Sequence, residues 1–319
     1  MERNYKFDNI KVFLMLLVII AHSMDNSYGD KGQEQIRFLC LSYAMPLFTF
    51  ISGYFSKPQI SASKLLKSLL WPCILMSVVN YTLQALVVKD YTFSLWKPAF
   101  ATWYLWALLA FRFLLPYLCR IPHILPISFV VSWLAGFIPF VGTTLCISRI
   151  VCFLPFFLLG YYVCSQGNYR FVKEYLFKLT NRGGWMLLLC FLMMFGMILG
   201  VIKPSVTYRT AFNSPYHPDY QFVEMLIRIM FQAIDIVGAL CVIKLFPSHR
   251  TWYSQYALRT MNVYMLHALV VLPMAHVVFP PMDECSLFQK FLLIGVPVVV
   301  CLFLFSDFIN RLMNYVMGK

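Results

Sequence analysis

The sequence predicts an all-α protein, a polytopic transmembrane helical bundle of about ten helices with both termini in the cytoplasm. The first observation is composition: 61% of the 319 residues are hydrophobic and only 12% are charged. A soluble domain has about 25% charged residues, so the deficit is too large for a soluble globular protein. The second is that basic residues concentrate in the connections that this topology assigns to the cytoplasm. The net charge of +13 therefore sets topology and does not indicate a nucleic-acid partner.

The predicted helices follow from the thickness of the bilayer. A hydrocarbon core of about 30 Å requires ~20 apolar residues per helix. Charged and Pro/Gly-rich segments divide the chain into helices at residues 7–25, 36–56, 64–88, 99–119, 123–142, 148–165, 184–203, 222–246, 255–279 and 288–315. We expect one transmembrane domain over residues 1–319 with no separate soluble domain. The first helix should be retained, because no small-residue cleavage site follows it.

The first helix carries a polar stripe. Lys11 and His22 are eleven residues apart, which is almost three turns, so they project from the same side about 16 Å apart along the axis. Asp8 precedes Lys11 by three residues and Asp25 follows His22 by three, which makes each pair neighbours on the helix surface. Because charges are costly in hydrocarbon, this face should line the bundle interior or an aqueous cavity. The alternatives are a Lys11 that reaches the headgroups and a structural His22.

Later helices carry two further polar stripes. One, with spacing i, i+4, i+8 and i+11, comprises Glu224, Arg228, Gln232 and Asp235. The other comprises Thr260, Tyr264 and His267. A carboxylate at mid-helix is costly, so Asp235 requires a basic partner or stays protonated. Asp307 and Arg311 have the i, i+4 spacing of an intrahelical ion pair, for which we predict a structural role.

The cysteines and small residues predict structure rather than chemistry. The ten cysteines lack metal-site spacing, and we predict no metal site. Cys40 and Cys285 lie near predicted loops, where a disulfide is possible. Ser52 and Gly53 favour close helix packing over a nucleophilic role.

Several segments carry a family resemblance. The K-x10-H spacing in the first helix resembles the R/K-x10-H signature of the integral-membrane acyltransferase family 3, and FDNIKVFLMLLVIIAHS resembles its fucose 4-O-acetylase-like branch. Five more segments agree in order: MPLFTFISGYF at 45–55, KLLKSLLWP at 64–72, TWYLWALL at 102–109, SRIVCFLPFFLLGYYV at 148–163 and NVYMLHAL at 262–269. Lys64 and Lys67 stand where many members have arginines, and lysine cannot make a bidentate clamp on phosphate.

The resemblance implies an O-acyltransferase in the plasma (inner) membrane, moving acetyl from cytoplasmic acetyl-CoA to a hydroxyl of an envelope glycan or lipid-linked sugar. His22 matches the family's catalytic histidine, which would accept the hydroxyl proton. From its spacing alone, we predict that Asp25 orients the His22 imidazole.

We also assign donor and acceptor residues. Lys11, Lys64 and Lys67 fall near the predicted cytoplasmic face, where the phosphates of acetyl-CoA would bind; ordinary topology-determining lysines are the alternative. Arg149 matches a basic position of this branch and joins the donor set, with acceptor contact or a structural ion pair as alternatives.

Candidate acceptor-binding residues lie on three predicted helices: Trp103, Glu224, Arg228, Asp235 and His267. His267 matches the family's Y-x-x-H segment, and structural hydrogen bonding is its alternative role. For Trp103 the alternative is the aromatic belt at the membrane interface.

Two other functions fit the buried charges. One is a secondary transporter, although no matching halves with interrupted helices are evident. The other is a noncatalytic partner or sensor in envelope synthesis, which the Lys11–His22 spacing disfavours.

Overall fold

The structure is a computed structural model. It describes residues 3–25, 31–58, 62–88, 93–94, 96–142, 144–164, 182–186, 188–189, 192–193, 196, 212, 215–280 and 284–316. Every regular element in these ranges is helical, and no strand occurs in them, which confirms the predicted all-α class. The predicted helix at 184–203 falls mostly outside the described residues.

The principal helices agree closely with most of the predicted spans. They are α1 (Tyr5–Ser23), α2 (Lys31–Tyr54), α3 (Trp71–Val87), α4 (Trp103–Leu118), α5 (Ile124–Leu134), α6 (Ile147–Cys164), α7 (Gln221–Leu245), α8 (Thr260–Leu266), α9 (Ala268–Pro273), α10 (Leu287–Phe303) and α11 (Asp307–Val316). A helical turn at Ala62–Leu65 and a π-helical segment at Leu66–Leu70 lead into α3. A 3-10 turn at Phe100–Thr102 leads into α4.

The described helices support a multi-pass membrane protein. Five of them are long and apolar enough to cross a membrane, and seven spans result if each bent helix pair is one span. α1 is not among the five, because its 19 residues include three charged side chains, Lys6, Asp8 and Lys11. The total of about ten helices and the location of the termini remain predictions.

Three predicted helices differ in the structure. The helix predicted at 123–142 ends at Leu134 and continues only as a 3-10 turn, and its 11 residues extend about 16 Å. The helix predicted at 255–279 is divided between α8 and α9 by a bend of 45°. The helix predicted at 288–315 is two helices, α10 and α11, which meet at a bend of 70°.

The chain divides into two compact units. The first unit comprises Met1–Ala44, Leu66–Leu105 and Pro247–Lys319, and the second comprises Met45–Leu65 and Trp106–Phe246. In the first unit, α1 packs against the 3-10 helix Ser254–Arg259 and against α8, α9 and α10. Cys40 and Cys285, both in this unit, are buried free thiols, so the possible disulfide between them is not formed.

Asn9 attaches the start of α1 to the segment before α8. Its side chain is fully buried, and its Nδ2 donates to the carbonyl oxygens of Pro247 at 3.0 Å and His249 at 3.1 Å. Its Oδ1 accepts from the hydroxyls of Thr251 at 2.7 Å and Ser254 at 2.6 Å. Asn9 thus makes four hydrogen bonds, as a buried amide requires.

In the second unit, two glycines bring α2 and α6 into direct backbone contact. A Cβ at Gly53 would overlap the carbonyl oxygen of Phe157, and a Cβ at Gly160 would overlap the carbonyl oxygen of Phe50. Each glycine therefore admits the backbone of the other helix, as small residues do in membrane helix pairs. The packing role predicted for Gly53 is confirmed.

Candidate active site

Two histidines and a phenylalanine form a cluster in the first unit. His22 lies in the last turn of α1, and His267 lies at the break between α8 and α9. Their ring centroids are 5.3 Å apart, and Phe100 lies 4.5 Å from His22 and 5.9 Å from His267. Phe100 has a positive φ of 45°, a region that bulky residues rarely adopt and that occurs often at functional sites.

The hydrogen bonds of His267 determine its tautomer. Its Nδ1 lies 2.6 Å from the carbonyl oxygen of Tyr264, and because a carbonyl can only accept, Nδ1 carries the proton. Nε2 of the neutral ring is then a hydrogen-bond acceptor. His267 is fully buried, and Nε2 has no partner among the residues that the structure describes. The cluster therefore holds an imidazole lone pair of fixed orientation in its interior.

Aromatic rings connect Trp103 to this cluster. Trp103 lies 5.9 Å from Tyr104, Tyr104 lies 5.5 Å from Tyr264, and Tyr264 lies 5.6 Å from His267, measured between ring centroids. The Tyr264 hydroxyl donates to the carbonyl of Ala101, which ties α8 to the turn that holds Phe100. Trp103 is only 6% exposed, so it does not form part of an aromatic belt.

Asp25 lies beyond the last residue of α1 and has two basic neighbours. Its Oδ1 accepts from Arg37 at 2.6 Å, and its Oδ2 lies 3.5 Å from Nε2 of His276. Burial alone would raise the pKa of the Asp25 carboxyl, but Arg37 and, more weakly, His276 and His22 outweigh burial and lower that pKa to about 2. The carboxylate is thus ionised and held by Arg37 and His276. The predicted orientation of His22 by Asp25 stays a prediction.

The other end of α1 carries the second half of the polar stripe. Lys11 Nζ lies 3.6 Å from Asp8, which confirms the predicted i, i+3 contact. Asp8 also accepts from Nε of Arg3 at 2.7 Å, and Arg3 donates to the carbonyl of Ser254 at 3.0 Å. Because one carboxylate serves two cations, this group carries a net positive charge.

The remaining candidate donor residues lie on other elements. Lys64 is exposed on the helical turn of the second unit, and Lys67 is exposed on the π-helical segment of the first. Arg149 lies in the first turn of α6, in the second unit, and is half-buried. The donor-binding roles of all three stay predictions.

The stripe predicted on α7 is a buried face in the second unit. All four side chains are at most 4% exposed: Glu224, Arg228, Gln232 and Asp235. The stripe therefore faces the interior of the protein.

Two of these side chains have contacts within the second unit. Arg228 donates to the carbonyl of Ser132 at 2.9 Å, and its guanidinium lies 4.5 Å from the ring centroid of Tyr216. Glu224 accepts from the backbone amide of His217 at 2.9 Å. These contacts attach α7 to α5 and to the segment before α7.

Gln232 and Asp235 differ sharply. Gln232 accepts from Trp133 Nε1 at 2.8 Å and donates to the Ser132 hydroxyl at 2.7 Å and the Cys152 carbonyl at 3.2 Å. Both carboxyl oxygens of Asp235 are buried without a hydrogen-bond partner among the described residues. Gln232 connects α7 to α5 and α6, whereas the carboxyl of Asp235 is available to bind a further group or a proton.

Sequence reasoning missed Phe100, Arg37 and His276 as neighbours of the site. Phe100 belongs to no polar stripe, and no local spacing relates it to His22. Arg37 and His276 are 12 and 251 residues from Asp25 in sequence, so helical periodicity gave no signal for either contact.

Comparison with known proteins is consistent with the resemblance found in the sequence. The family model Acyl_transf_3, described as an acyltransferase domain, matches residues 4–311. Searches of curated proteins and of solved structures gave no match. The match spans both units and includes all residues of the histidine cluster.

Proposed function

Because the chain belongs to this membrane acyltransferase family, we propose that it transfers acetyl from cytoplasmic acetyl-CoA to a hydroxyl of an envelope carbohydrate. The observation that carries the proposal is the pair of imidazoles at His22 and His267, whose centroids lie 5.3 Å apart. Acyl transfer to a hydroxyl needs a group that accepts a proton near neutral pH, which histidine can do.

The chemistry requires one proton to move twice. The acceptor hydroxyl attacks the thioester carbonyl, so that a C–O bond forms and the C–S bond breaks. His22 accepts the hydroxyl proton and returns it to the sulfur of departing coenzyme A. A positioned histidine of this kind contributes about 10²–10⁴-fold to the rate.

His267 suits a positioning role toward His22. Its Nδ1 proton is committed to the Tyr264 carbonyl, so its Nε2 can only accept. An N–H of His22 pointing at this lone pair would leave the other His22 nitrogen unprotonated and directed at the substrate. In this proposal His267 fixes the tautomer of the base, a role assigned to a carboxylate in the serine hydrolase triad.

The donor path is proposed along α1. Lys11 lies about 16 Å from His22 along the helix axis, which suits the separation between the phosphates and the thioester of acetyl-CoA. Lys67, in the same unit as Lys11, would add positive charge for the phosphates, and the donor roles of Lys64 and Arg149, in the second unit, stay predictions. Trp103 is proposed to contact the acceptor, because ring contacts connect it to the histidine cluster, whereas His267 takes the positioning role.

For Glu224 and Arg228 the contacts favour support of α7 over direct acceptor binding. Asp235 is the observation that favours a second candidate function, proton-coupled transport. A buried carboxylate without a described partner is typical of membrane proton pathways. If Asp235 has no part in acyl transfer, Asp235→Asn should leave acetyl-CoA turnover within about twofold of wild type. Transport would be supported if wild type takes up a substrate together with protons and Asp235→Asn does not.

The test uses the full chain in nanodiscs with radiolabelled acetyl-CoA. We expect wild type to bind acetyl-CoA and hydrolyse it slowly. His22→Ala should keep binding and lose about 10²–10⁴-fold in turnover. His249→Gln, a change to an exposed histidine, is the matched control and should retain turnover. Full turnover in His22→Ala would refute His22 as the base, and no acetyl-CoA binding by wild type would refute the acyltransferase.

A further inference from the structure

The last helix of the structure, α11, leaves the direction of the preceding span. α10 and α11 meet at a bend of 70°, so α11 runs nearly across the axis of α10. With ten residues, α11 extends about 15 Å, too short to cross a bilayer. Its sequence, DFINRLMNYV, alternates apolar and polar groups with helical periodicity.

The side chains of α11 separate into two faces. At about 100° per residue, the apolar arc comprises Tyr315, Phe308, Leu312, Val316, Ile309 and Met313. The opposite polar arc comprises Asn310, Asn314, Asp307 and Arg311. A helix with such separated faces lies in the plane of a membrane interface when its apolar face meets acyl chains.

The side of α11 that packs against the rest of the protein lies at a border between the apolar and polar arcs. Met313 is 5% exposed, and Asn310 accepts from Asn262 at 2.9 Å. These two residues lie side by side at one border between the arcs, and their midpoint is roughly a quarter turn from the centre of each arc. The contact with the rest of the protein is therefore made at the border between the two arcs, with the polar arc on one side of it and the apolar arc on the other.

Asp307 fixes the start of the helix. It pairs with Arg259 of the 3-10 helix before α8, so the predicted intrahelical pair with Arg311 is wrong. Because Arg259 and Asn262 both contact α11, its rotation about its own axis is determined by the rest of the first unit. The apolar arc consequently has one orientation.

The exposed apolar stripe of α11 follows an exposed apolar end of α10 along the chain. Phe308 is 68% exposed, Leu312 47% and Tyr315 86%. On α10, Leu302 and Phe303 next to the bend are 52% and 60% exposed. On a span that crosses the bilayer such residues face lipid, and the exposed stripe of α11 begins directly after the bend.

We propose that α11 lies in the membrane–water interface, with Phe308, Leu312 and Tyr315 inserted among phospholipid acyl chains. Arg311, on the polar arc, is at headgroup level, where it attracts anionic lipid. The occupant of the exposed stripe is thus the lipid monolayer. This inference is independent of the proposed enzymatic activity.

The test is photocrosslinking of the full chain in nanodiscs of phosphatidylethanolamine and phosphatidylglycerol. The photoreactive residue p-benzoylphenylalanine replaces Phe308, Leu312 or Tyr315, and intact-mass spectrometry detects phospholipid adducts. We expect adducts at all three positions, with yields similar to that at Phe303 of α10. The matched control at Asn314, on the polar arc, should give at least fivefold less lipid adduct.

Two results would overturn the proposal. Lipid adducts at Phe303 without adducts at Phe308, Leu312 and Tyr315 would show that α11 stands away from the bilayer in a protein whose span is correctly inserted. Crosslinks from these positions to a second copy of the chain would make the stripe an interface between protomers.

Discussion

At the scale of single residues, the candidate site depends on atoms whose hydrogen-bonding role has no alternative. His267 must donate from Nδ1, because its neighbour there is the Tyr264 carbonyl, and its Nε2 can then only accept. Asp25 is held by Arg37 and His276 instead of standing free. The two ends of the predicted His22–Asp25 pair therefore have distinct surroundings, one aromatic and one ionic.

We expect His267→Gln to lower kcat about 10–100-fold with little change in the KM for acetyl-CoA. The glutamine side chain fills a similar volume, but its amide carries both a donor and an acceptor and can turn either of them toward His22. A pH–rate profile is the informative measurement, because a purely structural role would scale all rates equally. If His267 orients the base, the apparent pKa of the profile should also move, and an unchanged profile would count against this role.

The ion pair of Asp25 predicts a dependence of stability on pH. The folded pKa is lowered to about 2, so the stabilisation is fully present above the unfolded pKa of about 3.9 and is lost as pH falls toward 2. Arg37→Gln should therefore lower the Tm in detergent at pH 6 to 8 while weakening the fall in Tm between pH 4 and 2. Arg37→Lys, which keeps the charge, should recover part of both effects.

At the scale of helices, the packing depends on one close backbone contact between helices and on breaks within helices. α2 and α6 meet through Gly53 and Gly160, whereas the break between α8 and α9 places His267 beside His22. Both features are local interruptions of otherwise regular apolar helices.

Gly53→Ala should destabilise the protein, because the new methyl group overlaps the Phe157 carbonyl and the helices must separate. Overpacking of this kind costs about 1–3 kcal/mol. Gly295→Ala on α10 is the matched control, since a Cβ there has nothing within 4 Å. Thermal unfolding in the same detergent should show a lower Tm for Gly53→Ala only; equal Tm values would contradict the close contact.

Asn9→Ala should detach the segment before α8 from α1. Three of its four hydrogen-bond partners, Pro247, Thr251 and Ser254, are buried or half-buried, and a single orphaned group costs about 1–3 kcal/mol. We expect faster backbone hydrogen exchange over residues 247–254 and a lower Tm. Exchange unchanged from wild type would show that Asn9 does not hold this segment.

At the scale of the whole molecule, the proposed enzyme uses charge near one end of α1 and histidine chemistry near the other. Lys11 shares Asp8 with Arg3, so this end of the helix stays net positive. A polyanionic donor would respond to that charge through its phosphates, and the response would weaken with salt.

Lys11→Gln combined with Lys67→Gln should raise the KM for acetyl-CoA several-fold, leave kcat nearly unchanged and reduce the dependence of KM on salt. Lys290→Gln on α10, which is placed on the outer side by the predicted topology, is the matched control. Initial rates between low and high ionic strength provide the measurement. An unchanged KM would refute donor binding by these lysines while leaving the His22 mechanism intact.

Much of the fold was predictable because it depends on local periodicity. The bounds of α1, α4, α6 and α7 lie within a few residues of their predicted ends, and the α7 stripe faces inward as its spacing requires. The breaks at α8–α9 and α10–α11 were missed, because continuous apolar sequence does not reveal where packing bends a helix.

The sequence by itself determined a helical membrane protein of the acyltransferase family, the helical register of Lys11 and His22, and the buried face of α7. The family follows from motifs that resemble its members, whereas the membrane class, the register and the buried face follow from composition and the 3.6-residue turn, which are local properties. Only the tertiary structure decided that His22 lies beside Phe100 and His267, and that Asp307 pairs with Arg259 instead of Arg311. Such contacts join residues that are distant in the chain, and their energies depend on which helices pack together.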